Sequence, residues 1–167
     1  MKNKALCTNS KIEQAMEAYS DMVFRLALAQ LKHRANAEDV FQEVFFRFAK
    51  ADTVFESEEH QKAWFIRVTL NCCRKLQSSA WFRHIYPEDE NAAEPIATQE
   101  DEHSEVREAV QGLPAKYRSV IHLFYFEDMS AAQIATSLGL KESTITSQLC
   151  RARKLLQEKL KGDYDYD

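Results

Sequence analysis

The chain is 167 residues long, 45% hydrophobic and 29% charged, with three Gly, three Pro and four Cys. That length makes one domain or two small ones, and that apolar content supplies packed cores, which excludes general disorder. The net charge of −4 argues against a nucleic-acid binder until it is divided along the chain.

Residues 1–84 carry 13 Lys/Arg against 10 Asp/Glu, and residues 106–160 carry 8 against 5. Between them, residues 85–105 carry eight acidic groups and no Lys or Arg, and the tail 161–167 carries one base against three acids. Two mildly basic lobes therefore flank a strongly acidic connector. So few Gly and Pro leave little material for tight turns and barrel corners, which favours helices. No stretch approaches the roughly 20 apolar residues of a membrane span. The opening MKNKALCTNSKIEQ has three lysines but no apolar block behind them, so a cytoplasmic location is expected.

The first lobe is helical by pattern. Ile12, Ala15, Met16, Tyr19, Met22, Val23, Leu26, Ala27 and Leu31 recur at intervals of three and four, the spacing of one buried stripe. Asn36 offers an N-cap for a second helix, with Glu38 and Asp39 complementing its positive end. That helix is expected to bury Val40, Phe41, Val44, Phe45 and Phe48. Its opposite side carries Asp39, Gln42, Glu43 and Phe46 at i, i+3, i+4 and i+7. A large aromatic beside two carboxylates fits a partner surface better than a solvated face, and the acids point to a basic partner.

A loop, ADTVFESEEHQ, leads to a third helix from about His60 to Ser78. Trp64 is expected in the core. Asn71, Arg74 and Lys75 are either ordinary solvated positions or a nucleic-acid face, in which Asn bonds a base edge and the cations hold phosphates. A loop aromatic such as Phe55 could shelter an unstacked base.

The connector IYPEDENAAEPIATQEDEHSE (85–105) has neither helical nor strand period and holds two of the three prolines. It reads as an extended linker, either a solvated spacer or an acidic strand that lies in a basic channel of a partner.

The second lobe starts near Ser104. Val106, Val110 and Leu113 lead to Pro114, which can open the next helix as its first residue, followed by Tyr117, Val120, Ile121, Phe124 and Tyr125. Ser130 is a plausible N-cap for AAQIATSL, and Gly139 supplies a turn. Ile145, Leu149, Ala152, Leu156 and Leu160 then form the buried stripe of the last helix. Short helix, Gly turn and longer helix make the helix-turn-helix plan, which αα-hairpins without DNA function share.

No catalytic set emerges. His33, His60, His84, His103 and His122 are scattered without a linked Ser, Cys or carboxylate pair, and there is no P-loop, GxGxxG or HExxH. Cys7, Cys72, Cys73 and Cys150 form no CxxC and have no zinc spacing, so small thiols in a reducing compartment are expected. Neither an enzyme, a metal site nor a cofactor is expected.

Three stretches together resemble the small bacterial sigma-70-type factors of the extracytoplasmic-function (ECF) group. They are NAEDVFQEVFFRF (36–48), KAWFIRVTLN (62–71) and LPAKYRSVIHLFYFEDMSAAQIATSLGLKESTITSQLCRARKLL (113–156). The resemblance implies an all-α fold of two small helical domains, a region 2 bundle and a region 4 helix-turn-helix, joined by an acidic flexible linker. The corresponding bounds are 1–80, a linker over 81–105, 106–160 and an acidic tail over 161–167. It also implies promoter recognition as a dissociable subunit of RNA polymerase, with the β′ clamp, the β flap, promoter DNA and an anti-sigma protein as partners.

By that likeness Asp39, Gln42, Glu43 and Phe46 contact the β′ clamp. Phe55, His60, Lys62, Asn71, Arg74 and Lys75 bind the minus-ten element as single strand, with Asn71 beside a flipped-out base. Ser143, Thr144, Thr146, Ser147, Gln148, Cys150 and Arg151 meet the minus-thirty-five element as duplex. The linker threads toward the RNA channel.

The sequence departs from the family in ESTITSQLCRAR, where Ser143 stands for a common Gly and Thr146 and Gln148 for usual bases. Thr and Gln still read base edges but neutralise no phosphate, so the electrostatic share of affinity falls. Glu56, Glu58 and Glu59 likewise repel phosphate near the loop. Two other readings compete. A stand-alone helix-turn-helix regulator explains 113–160 but not the Asp39 face or the Asn71 helix. A protein–protein adaptor would keep the fold without reading DNA.

Overall fold

The structure is a computed structural model that describes residues 2–79 and 104–162. Within them the chain is all helical, and it divides into two compact units between Pro87 and Glu88. The linker expected over 81–105 falls mostly outside the described residues, as does the tail from 163.

The first unit consists of α1 (Lys2–Leu31), α2 (Arg34–Lys50) and α3 (Glu58–Ser78), packed mutually. Its centre is Val23, Leu26, Ala27, Val44, Phe65 and Ile66, all fully buried. Rings extend this core: Tyr19 stacks on Phe65 at 4.7 Å, and Phe65 lies 5.3 Å from Phe45 and 5.0 Å from Phe48. Aromatic pairs at these separations add about 0.5–1.5 kcal/mol each beyond the area they bury. Of the expected stripes, Met16 is exposed, and Ile12, Tyr19, Phe41 and Trp64 are half-buried.

Helix α1 ends where Lys32 takes a left-handed φ of 64°, its N–H bonding the Leu28 carbonyl at 2.9 Å. This one-residue reversal lets α2 begin at Arg34, with extended His33 as its N-cap. Asn36 is therefore inside the helix and buried, not capping it as the sequence suggested. Helix α3 starts two residues earlier than expected because Ser57 caps it, its Oγ accepting from the His60 N–H at 3.1 Å. Glu58 and Glu59 fill the first turn, where the helix dipole favours acids.

The second unit contains α4 (Ser104–Gln111), α5 (Ala115–Ile121), a single π-turn (His122–Phe126), α6 (Ala131–Leu138) and α7 (Glu142–Gly162). Pro114 has ψ 146° and sits just before α5, not in its first turn; its carbonyl accepts from Tyr117 and Arg118. Buried Arg118 reaches back to the Gln111 and Leu113 carbonyls at 3.2 and 3.0 Å, closing the end of α4.

Ser130 caps α6 in a full capping box with Gln133, and Gly139 ends α6 at φ 68°. Helix α7 packs on α4, α5 and α6 through fully buried Ile145, Leu149 and Ala152. Leu156 and Leu160 continue that stripe but are only half-buried, short of the burial expected; Phe124 is half-buried, and Val106 and Tyr125 are exposed.

Gly139 fixes the angle between α6 and α7 because a Cβ in the left-handed region meets its own carbonyl. Gly139→Ala is expected to lower unfolding stability by about 1–2 kcal/mol. A denaturant midpoint that does not move would contradict this.

Candidate polymerase and nucleic-acid interfaces

Asp39, Gln42, Glu43 and Phe46 are all exposed on the side of α2 away from the core. The Phe46 ring is 54% accessible, which leaves an aromatic on an outer helix face without a core to join. Its neighbours hold it in place: Lys50 Nζ lies over the ring at 4.2 Å, and Glu43 bonds Arg47 Nε at 2.8 Å one turn away. The result is an apolar disc rimmed by charge, the plan of a protein-binding anchor.

The six residues expected at single-stranded DNA do not all share one face. His60, Asn71, Arg74 and Lys75 are exposed along one side of α3, and Asn71 Oδ1 accepts from Arg74 at 3.5 Å. Lys62 is half-buried and lies nine residues before Asn71, about half a turn around the helix. Phe55 is also half-buried, its ring centroid 6.2 Å from Phe48, 6.0 Å from Trp64 and 5.5 Å from His60. His60 Nδ1 in turn accepts from the Glu56 N–H at 3.3 Å. Phe55 and His60 thus pin the loop that precedes α3. The apolar side chain this loop offers to solvent is Val54, 87% exposed, which sequence reasoning passed over. No local signal says which of two adjacent apolar loop residues turns inward.

On α7, Ser143, Thr146, Ser147, Cys150 and Arg151 are exposed, and Thr144 and Gln148 are half-buried. Two residues subtend about 200° on a helix, so Thr146 and Gln148 flank Ser147 at opposite edges of the outer face. The Thr146 hydroxyl donates to the Glu142 carbonyl at 3.0 Å, which leaves its methyl and an oxygen lone pair for a partner.

Among the described residues the cysteines are free thiols. Cys72 and Cys73 are buried and Cys150 is exposed. Burial pushes the Cys72 thiol up against the opposing pull of Arg47, which keeps its reactive thiolate scarce. Among the described residues no group of three or more His, Cys, Asp or Glu is placed to hold a metal ion. No described helix is long and apolar enough to cross a membrane.

Comparison with known proteins covers both units. The family model "Sigma-70 region 2" matches residues 15–83, and "Sigma-70, region 4" matches residues 103–156. The chain belongs to the sigma-70 family, in its ECF group. It is 29% identical over 148 residues to the ECF RNA polymerase sigma factor SigL of Mycobacterium tuberculosis, covering 84% of each chain. It is 27% identical over 144 residues to the RNA polymerase sigma factor SigV of Bacillus subtilis, covering 82% of this chain and 83% of that one.

Among solved structures it is similar to the sigma factor RpoE of Bartonella quintana, in complex with the anti-sigma factor NepR. That likeness has a TM-score of 0.70 and 25% identity, and covers 90% of this chain and 97% of that one. The function of the chain is that of an RNA polymerase sigma factor in promoter recognition. A stand-alone helix-turn-helix regulator is disfavoured because it leaves the region 2 match unexplained.

Two features of this sigma factor were not legible in its sequence. Buried His122 faces Glu127, Nε2 to Oε1 at 3.3 Å, and stacks on Phe126 at 5.5 Å, so side chains and backbone together close the π-turn. Opened by that turn, Tyr125 and Phe126 are about half exposed, at 51% and 50%. Tyr125 then bonds Arg153 of α7 at 2.8 Å.

Proposed function

We propose that this ECF sigma factor anchors to the β′ clamp of core RNA polymerase through the Phe46 face of α2, and acts in the cytoplasm. From there it captures the melted minus-ten element on the Asn71 side of α3 and holds the minus-thirty-five element with α7. The observation that carries this is the exposed Phe46 ring among Asp39, Gln42 and Glu43, an aromatic placed where the fold has no use for it. The polymerase supplies catalysis and this subunit supplies selection.

Melting follows from the chemistry of an extruded base. Unstacking costs a few kcal/mol. An Asn that bonds a base edge, with Arg74 and Lys75 on the adjacent backbone, offsets that cost, so promoters whose base fits open preferentially. Phe55 supports the loop and Val54 is the apolar contact it presents, while Lys62 stands at the margin of the surface. The carboxylates of Glu56, Glu58 and Glu59 keep phosphates off the loop tip and leave the base as its partner.

On α7, Ser143, Ser147 and Arg151 form the middle of the duplex-facing surface, Thr144 and Cys150 its borders, and Thr146 and Gln148 its flanking readers. Gln148→Ala is expected to relax preference at one upstream position by about tenfold, within the 1–3 kcal/mol of a bidentate contact to adenine. An unchanged preference in a selection from random duplexes would contradict that role. An anti-sigma protein is a further partner, supported by the likeness to RpoE bound to NepR.

Co-purification with core polymerase tests the anchor. A stable stoichiometric complex is expected, and a chain that fails to associate with core enzyme contradicts the proposal.

A further inference from the structure

Arg153 lies on α7 seven residues after Thr146 and three after Cys150, so the three follow one edge of the helix at i, i+4 and i+7. Its side chain is exposed but oriented. Arg153 Nε donates to the Tyr125 hydroxyl at 2.8 Å, and the guanidinium carbon lies 5.5 Å from the Phe124 ring centre and 5.7 Å from that of Tyr125. Those distances are within cation–π range.

The Nε hydrogen points at Tyr125, so the two terminal NH2 groups, with the other four donors, form the outward fork. Such a fork matches a phosphate bidentately. Seven residues advance about 10 Å along the axis, comparable with the roughly 12 Å width of a major groove. With the first turns of α7 over base edges, Arg153 reaches the backbone at the groove's edge.

We propose that Phe124 and Tyr125 form a rack that holds the Arg153 guanidinium toward a backbone phosphate of the upstream duplex. Arg153 is then a phosphate-binding residue and Tyr125 its positioning residue, a reading that rests on the duplex-binding role proposed for α7. It answers the weak basicity of the first turns of α7. One cation fixed in advance replaces cations that Thr146 and Gln148 do not provide. The π-turn gains a purpose too, because the bulge between α5 and α6 is what turns Tyr125 outward to meet α7.

The test is the salt dependence of binding by the full chain assembled with core polymerase. The probe is a duplex carrying the upstream sequence that the wild-type holoenzyme selects from a random pool. Arg153→Ala is expected to weaken binding about tenfold at low salt and to reduce the slope of log K against log salt by about 0.9, the value of one phosphate contact. Arg153→Lys keeps the slope but loses about threefold, because the charge remains and the fork and stack do not. Tyr125→Phe also keeps the slope and loses about two- to threefold, with base preference unchanged.

An unchanged slope in Arg153→Ala, with selection intact, overturns the phosphate role alone. A base preference that shifts in Tyr125→Phe overturns the positioning role. A wild-type holoenzyme that selects no upstream sequence overturns the duplex reading of α7 and the phosphate role with it.

Discussion

Phe46→Ala is expected to weaken binding to core RNA polymerase by about 30- to 150-fold, the ~2–3 kcal/mol of an aromatic hot spot. The ring is 54% exposed and flanked by Lys50 and the Glu43–Arg47 pair. It is therefore half desolvated and already oriented before a partner arrives, so little ordering opposes its burial. Its removal should leave the fold intact or slightly more stable, since alanine is the better helix former on an outer face. Titration of labelled core enzyme, with thermal unfolding as the control, measures both. Asp39→Ala and Glu43→Ala are rim changes and should cost less, with a loss that grows smaller at high salt. A Phe46→Ala protein that binds core as tightly as the wild type would remove α2 as the anchor.

The second large effect is expected at Asn71. Asn71→Ala should slow open-complex formation by about 5- to 150-fold, the loss of about 1–3 kcal/mol of base-edge bonding, while core binding changes less than about twofold. The separation follows from geometry. Asn71 is on α3 and exposed, while Phe46 is on the outer side of α2, so each surface can fail without the other. Permanganate footprinting of unpaired thymines reads strand opening, and the same labelled-core titration reads assembly. Equal losses in the two assays would mean that Asn71 supports the bundle, not a base.

How far the sequence revealed these surfaces depended on whether the signal was local. Ser130 as a cap, and Gly139 after Leu138 as a turn, were readable because both are set by residues within one helical turn. Asp39, Gln42, Glu43 and Phe46 were readable because an aromatic on the wrong face of a periodic pattern stands out. Asn36 misled because it has the chemistry of a cap, whereas the reversal at Lys32, a residue without a preference for positive φ, decided where α2 begins.

Phe55 presented a different difficulty. Whether it or Val54 points inward depends on Phe48 and Trp64, residues contributed by two other elements. The π-turn at His122–Phe126 has no composition of its own, and the His122–Glu127 contact across it joins residues five apart, a spacing that an α-helical reading does not pair. Tyr125 continues the apolar spacing of the preceding helix, but the extra residue of the π-turn breaks the α-helical period there, and Tyr125 faces out to Arg153.

The most direct measurement of sigma function is run-off transcription with purified core polymerase, the full chain and promoter fragments from the source genome. The expected result is transcripts of discrete length that require the added chain, disappear with Phe46→Ala at limiting protein, and fall with Asn71→Ala even at saturation. If the chain binds core enzyme but starts no transcript from any fragment, the helical fold serves as an adaptor, and promoter selection by this protein is contradicted.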